Sequence, residues 1–206
     1  MAPSHDQLVA RLSELIAIPS VSADPAHVGD VRRAAQWVVD RIRAAGGDAD
    51  VVDWHGTPLA IGEVRASLEP ESAPTVLCYA HFDVQPSDPL ELWESAPFEL
   101  TERDGWLYAR GVADDKAHLF MLLEAAGSLA LAGELPVNVR FACDGEEETG
   151  GHSVVAWLER DTRGADAAIV LDGSMFRRGV PALTTGLRGL RYFHVTVRTE
   201  IGRAHV

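Results

Sequence analysis

Apolar residues recur along this chain with two periods, and each period marks its own class of element. Leu8, Leu12, Leu15 and Ile16 return at helical spacing, and Pro19 closes that first helix. Val31, Ala34, Ala35, Val38, Val39 and Ile42 mark a second helix, ended by Gly46-Gly47. Three short apolar runs, 75–80, 137–142 and 167–171, are bounded by turn formers and read as buried strands. Between the first two lies 117–132, apolar on almost every side through Leu119, Met121, Leu122, Leu123, Ala125, Ala126 and Leu129. Such a helix is expected to be covered on most sides. A further helix is predicted over 153–160.

Strands alternating with helices imply an α/β fold, a three-layer sandwich around a mostly parallel sheet. In such sheets, binding groups gather at the carboxyl ends of strands. The last part of the chain behaves differently. Phe193, Val195 and Val197 alternate with polar residues, so 190–198 is predicted to be a half-exposed strand of another sheet. No internal repeat and no low-complexity linker interrupts the pattern.

Composition narrows the classes of function. A length of 206 residues accommodates one domain, or one domain and the start of another. The 47% hydrophobic content fits a globular protein with a core. A formal charge of −13 argues against a nucleic-acid partner, because little here would neutralise phosphates. No run approaches the length of a membrane span. Residues 1–7 are polar and lack the apolar segment of a secretory signal. Cys78 and Cys143 both lie within apolar runs, so buried free thiols and a cytoplasmic compartment are expected.

Four short segments carry candidate chemistry, each just past an apolar run or opening one: His81-Phe82-Asp83, Asp114-Asp115-Lys116, Glu146-Glu147-Glu148 and Asp172-Gly173. On an extended backbone His81 and Asp83 point to the same side. A carboxylate there can hold the ring nitrogen that a metal does not use, while a histidine at a strand end is in isolation often structural. Asp114-Asp115 reads either as a helix N-terminal cap or as a carboxylate shared between two metal ions. Three adjacent glutamates repel one another unless something positive sits among them. They read either as a solvated loop or as a metal ligand beside a free general base. Asp172 is by itself an ordinary loop residue. The four together, in this order and at strand ends, point to one convergent site, and mixed histidine and carboxylate ligation suits zinc, with manganese or cobalt as substitutes.

At these residues the chain resembles the zinc metallopeptidase family of carnosinase-type dipeptidases, glutamate carboxypeptidases, acetylornithine deacetylase and succinyl-diaminopimelate desuccinylase. The resemblance runs from about residue 8 to 198. It is carried by His81-Phe82-Asp83-Val84-Gln85-Pro86, by Ala109-Arg110-Gly111-Val112-Ala113-Asp114-Asp115-Lys116 and by Glu147-Glu148-Thr149-Gly150. Val84-Gln85-Pro86, Trp93 and Thr185-Gly186-Leu187-Arg188-Gly189 look most like the dipeptidase branch.

The resemblance implies roles. His81 and Asp172 would hold one Zn2+, Asp114 would bridge two, and Glu148 would hold the second. Glu147 would be the general base for a zinc-activated water, and Asp83 would orient His81. The peptide between Asp114 and Asp115 is expected to be cis. Ala117 and Gly151 stand where relatives commonly carry glycine and serine. The implied activity is metal-dependent hydrolysis of a dipeptide or short peptide, with an N-acyl amino acid amidohydrolase (deacylase) as the alternative. An inactive fragment or a non-catalytic binding relative is the reading from another class. A phosphoesterase would want basic residues beside the acids, and Lys116 alone is thin support.

Relatives carry their last zinc histidine late in a longer chain, after an inserted lid that makes dimer contacts. The expected organisation is therefore 1–188 as an incomplete catalytic domain and 189–198 as the first strand of the lid. Residues 199–206 read as a non-native tail, so His205 is not nominated as a ligand. The longer parent is expected to be a homodimer, and this fragment to be inactive.

Overall fold

A computed structural model describes residues 3–186 and 188–198. It divides into two compact units, Met1–Gly173 and Ser174–Val206. In chain order the helices are α1 (His5–Ile16), α2 (Val28–Ala44), α3 (Ala117–Ala132) and α4 (His152–Leu158). The strands are β1 (Asp48–Trp54), β2 (Thr57–Val64), β3 (Thr75–His81), β4 (Thr101–Arg103), β5 (Trp106–Tyr108), β6 (Asn138–Asp144) and β7 (Ala167–Val170).

Five strands of the first unit form one sheet in the order β1-β2-β6-β3-β7. β3 runs parallel to both β6 and β7, whereas β2 runs antiparallel to both β1 and β6. Every strand but β2 therefore points the same way, as a mostly parallel sheet requires. The β1–β2 hairpin was not evident in the apolar pattern. Its two-residue turn, His55-Gly56, has φ of 52° and 95°. That left-handed pair suits the twist of a tight hairpin, but a histidine occupies the place where asparagine or aspartate would have announced it. β1 lies at the sheet edge and is only partly buried, so acids interrupt its apolar run.

Helices cover both faces. On one, Val31, Ala34, Val38 and Ile42 of α2 and Leu119 and Leu123 of α3 pack on Cys78, Ala80, Val139 and Phe141. On the other, Val154, Trp157 and Leu158 of α4 pack on Leu59, Leu77, Tyr79 and Ala142. This is the three-layer sandwich expected. α1 begins at a capping box between Ser4 and Gln7 and packs Leu12 and Ile16 against Phe120 of α3. Coverage of α3 is less complete than its composition suggested, since Met121 and Leu131 are exposed by 51% and 75%. No helix among the described residues is long and apolar enough to cross a membrane.

In the second unit, the described residues 190–198 pair with no strand, contrary to the expectation from their alternation. An extended segment with an apolar stripe becomes a strand only where a neighbour accepts its backbone hydrogen bonds. Among the described residues of this unit, a bridge from Arg177 to Val180 closes a turn. Residues 199–206, with His205, lie outside the described residues, as does Leu187. Cys78 and Cys143 are buried free thiols, and burial pushes Cys78 up to about 11.

The exit from β6 is tightly packed. A Cβ on Gly145 would stand 2.6 Å from the Pro58 carbonyl oxygen and 2.9 Å from the Phe82 ring. Gly145→Ala should therefore cost about 1–3 kcal/mol, measured by chemical denaturation; an unchanged midpoint would mean the turn relaxes freely. Asp144, fully buried, accepts the Glu146 N–H at 3.1 Å. Burial, only partly countered by backbone hydrogen bonds, pushes its carboxyl up to about 6. A carboxyl whose folded pKa lies above its unfolded one loses stability as pH rises through that interval. Asp144→Asn should thus gain about 1–3 kcal/mol over the parent chain above pH 6, shrinking toward zero near pH 4. A pH-independent difference would contradict it.

Candidate metal centre

Strand register assembles the site. In the ladder between β3 and β6, His81 stands level with Asp144, and in that between β3 and β7, Tyr79 stands level with Val170. Two residues further along each chain segment, His81 at the end of β3 and Asp172 just past β7 come to the same end of the sheet. Beyond His81 the chain stays extended: Phe82 and Val84 turn into the core, the Phe82 N–H donates to the Asp144 carbonyl and the Val84 N–H to that of Ser20. The alternate residues His81, Asp83 and Gln85 share the other side.

The imidazole of His81 is fully buried. Its Nδ1 lies 3.1 Å from the carbonyl oxygen of Asp83 and 3.3 Å from Oδ1 of the same residue. Both oxygens can only accept, so Nδ1 carries a proton and Nε2 is the nitrogen presented to the acids. From Nε2, Asp114 Oδ1 is 3.0 Å away, Glu147 Oε2 3.8 Å and Asp172 Oδ2 4.0 Å. One ligand atom each from His81, Asp114 and Asp172 lies within 4.8 Å of the others.

Asp114 reaches this point from the turn before α3. Gly111 supplies φ of 77°, Asp114 departs from helical torsions at φ −147° and ψ 91°, and the Asp114–Asp115 peptide is cis, as the resemblance implies. The pair does not cap α3, which begins at Ala117 and has no side-chain cap. Asp114 instead faces the opening while Asp115 is buried. Asp115 accepts the His81 N–H at 3.1 Å and faces His118 Nδ1 at 2.6 Å. The fully buried ammonium of Lys116 donates to the carbonyls of Leu15 and Ile18, tying the turn to the end of α1.

The three glutamates diverge. Glu146 faces away from the site, accepting from Thr57 Oγ1 at 2.5 Å and from the Ser153 N–H at 2.7 Å. The N–H groups of Glu147 and Glu148 each donate to the Asp83 carboxylate at 3.2 Å. Asp83 thus holds both the histidine and the glutamate turn. Glu148 does not join the group of three; its Oε2 accepts from Gln85 Nε2 at 2.7 Å. Asp115, Lys116 and Gln85 were not evident as contributors from sequence. The signal for Gln85 was available, since it continues the alternation begun by His81 and Asp83.

Electrostatics tie the cluster together. Burial, and then neighbouring negative charge, raises the carboxyls of Glu147, Glu148 and Asp172, with His81 pulling the other way. Burial opposes charging His81, yet the hydrogen bond and charge of Asp83, with the charges of Asp115 and Glu147, carry it up to about 10. The His81 imidazolium, with His118 acting on Asp172, is the counter-charge for the acids. A divalent ion would fill that role better and free Nε2 to ligate, and this donor set of one imidazole and several carboxylates fits zinc.

Comparison with known proteins agrees with this geometry. The profile of peptidase family M20/M25/M40 matches residues 77–203. A cysteinylglycine-S-conjugate dipeptidase of Corynebacterium striatum is 34% identical over all of this chain and 45% of its own length. A succinyl-diaminopimelate desuccinylase of Paraburkholderia xenovorans is 28% identical, over 88% of this chain and 47% of its own. The crystal structure of human carnosine dipeptidase 1 superposes with a TM-score of 0.73 and 30% identity, covering 80% of this chain and 38% of that one. The chain spans less than half the length of these relatives. With more than half of its residues matched by the family profile, and with His81, Asp114 and Asp172 drawn together at the end of the sheet, the chain belongs to peptidase family M20/M25/M40.

Proposed function

We propose that the protein carrying this chain is a zinc-dependent dipeptidase that hydrolyses the amide bond of a dipeptide or short peptide. The observation that carries this reading is the convergence of His81 Nε2, Asp114 and Asp172 within 4.8 Å, with Glu147 beside them. The dipeptidase names of several relatives support the substrate class. In this reading His81, Asp114, Asp172 and Glu148 would hold the divalent ions. Bound divalent ions supply Lewis acidity, polarising the scissile carbonyl and lowering the pKa of water.

The chain's own residues do the rest. Asp83 keeps the proton of His81 on Nδ1. Glu147 accepts the proton of the attacking water and returns it to the leaving amine. Burial suits Glu147 to this exchange, because a raised pKa brings a carboxylate closer to the operating pH. Residues 1–188 form part of the catalytic domain, and 189–198 begin a lid whose remainder completes the substrate pocket and a homodimer contact. The two buried free thiols suit a reducing, cytoplasmic setting.

A second reading, an N-acyl amino acid amidohydrolase, is supported by the desuccinylase among the relatives. Both reactions attack an amide carbonyl with the same groups, so substrate decides between them. Full-length protein loaded with zinc should cleave Cys-Gly or β-Ala-His faster than N-succinyl amino acids; the reverse preference would replace the dipeptidase by the deacylase. Glu147→Gln should retain its metal, measured by elemental analysis, while turnover falls about 10²–10⁴-fold. Loss of metal would mean that Glu147 is a ligand and not the base.

A further inference from the structure

We infer that Gln85 is a positioning residue that orients Glu148 as a metal ligand, and that the extended segment from His81 to Gln85 is a single frame for both ion positions. The inference rests on the reading of Glu148 as a ligand. Its basis is alternation. Phe82 packs in the apolar core, whereas His81, Asp83 and Gln85 each contact the glutamate turn, so alternate residues of the segment take opposite sides. Each residue on that face meets the Glu147-Glu148 turn at a different point. His81 Nε2 lies 3.8 Å from Glu147 Oε2, Asp83 accepts both backbone N–H groups, and Gln85 takes the Glu148 side chain.

Gln85 makes two contacts with one residue. Its Nε2 donates to Glu148 Oε2 at 2.7 Å and to the Glu148 carbonyl oxygen at 3.3 Å. Both partners only accept, so the amide nitrogen must face them and the orientation of the amide is settled by chemistry. Holding one carboxylate oxygen while the backbone is pinned by Asp83 fixes the Glu148 rotamer. The neutral donor also adds no charge to a cluster already crowded with acids. Gln85 therefore stands to Glu148 as Asp83 stands to His81: each fixes one ligand through a hydrogen bond the metal does not use. A glutamate at 85 would keep the length and replace attraction by repulsion.

The test is a Zn2+ titration of metal-free, full-length protein against a chelating indicator, comparing parent, Gln85→Met, Gln85→Glu and Glu148→Gln. Gln85 is exposed, so thermal unfolding of the metal-free variants should match the parent. Gln85→Met should weaken one of the two ion positions about 10–100-fold and leave the other unchanged. Glu148→Gln should weaken the same position, and Gln85→Glu should weaken it further than Gln85→Met. Parent-like binding of both ions by Gln85→Met, with Glu148→Gln impaired, overturns the role of Gln85. Equal weakening of both ions by Gln85→Met also overturns it, since Gln85 would then act on the whole turn. If Glu148→Gln binds both ions normally, the ligand assignment itself fails and the inference falls with it.

Discussion

Negative charge gathered at one end of a sheet, with the buried imidazole of His81 at its centre, is the constraint around which this chain is organised. Asp114, Glu147 and Asp172 surround Nε2 of His81 at 3.0–4.0 Å. Carboxylates crowded in this way disfavour ionisation, and burial makes the cost larger. A fold selected for stability alone would not collect them. The arrangement makes sense once a divalent cation is counted among the contents of the site, because the same repulsion then becomes ligation.

The scaffold answers that constraint with fixed backbone. Parallel register brings the ends of β3 and β7 together, while β6 delivers the glutamate turn on the other side of β3. Asp83 lies at the junction, in contact with the histidine ring and with both glutamate amides. Asp115 and Lys116 anchor the remaining arm, one to the His81 backbone and the other to the last carbonyls of α1. Displacement of any one arm would therefore be felt by the others. That shared fixation is how a mouth built from loops holds candidate ligand atoms within a few ångströms of one another.

Much of this was legible in the sequence, for physical reasons that differ by element. α2 and the three parallel strands were readable because burial on one or both faces leaves an apolar record at a fixed period. His81, Asp114, Glu147 and Asp172 were readable as a candidate cluster only together, because each alone reads as structural and it is their joint placement at the mouths of apolar runs that points to one site. The β1–β2 hairpin was obscured by acids on an edge strand and by His55 in its turn. Residues 190–198 misled in the other direction, since alternation records a two-sided segment and not a partner strand. Asp115 was hidden by its neighbour: adjacent aspartates look alike in sequence, and only the turn before α3 sends one to the opening and the other into the core. Gln85 carried no charge to draw notice, although its place in the alternation was in view.

Zinc anomalous diffraction from crystals of the protein tests the central claim most directly. An anomalous peak within about 2.0–2.2 Å of His81 Nε2 and of carboxylate oxygens from Asp114 and Asp172 is the predicted result. Full zinc occupancy elsewhere on the molecule, with His81 Nε2 still paired to Asp114 at hydrogen-bond distance, would contradict it.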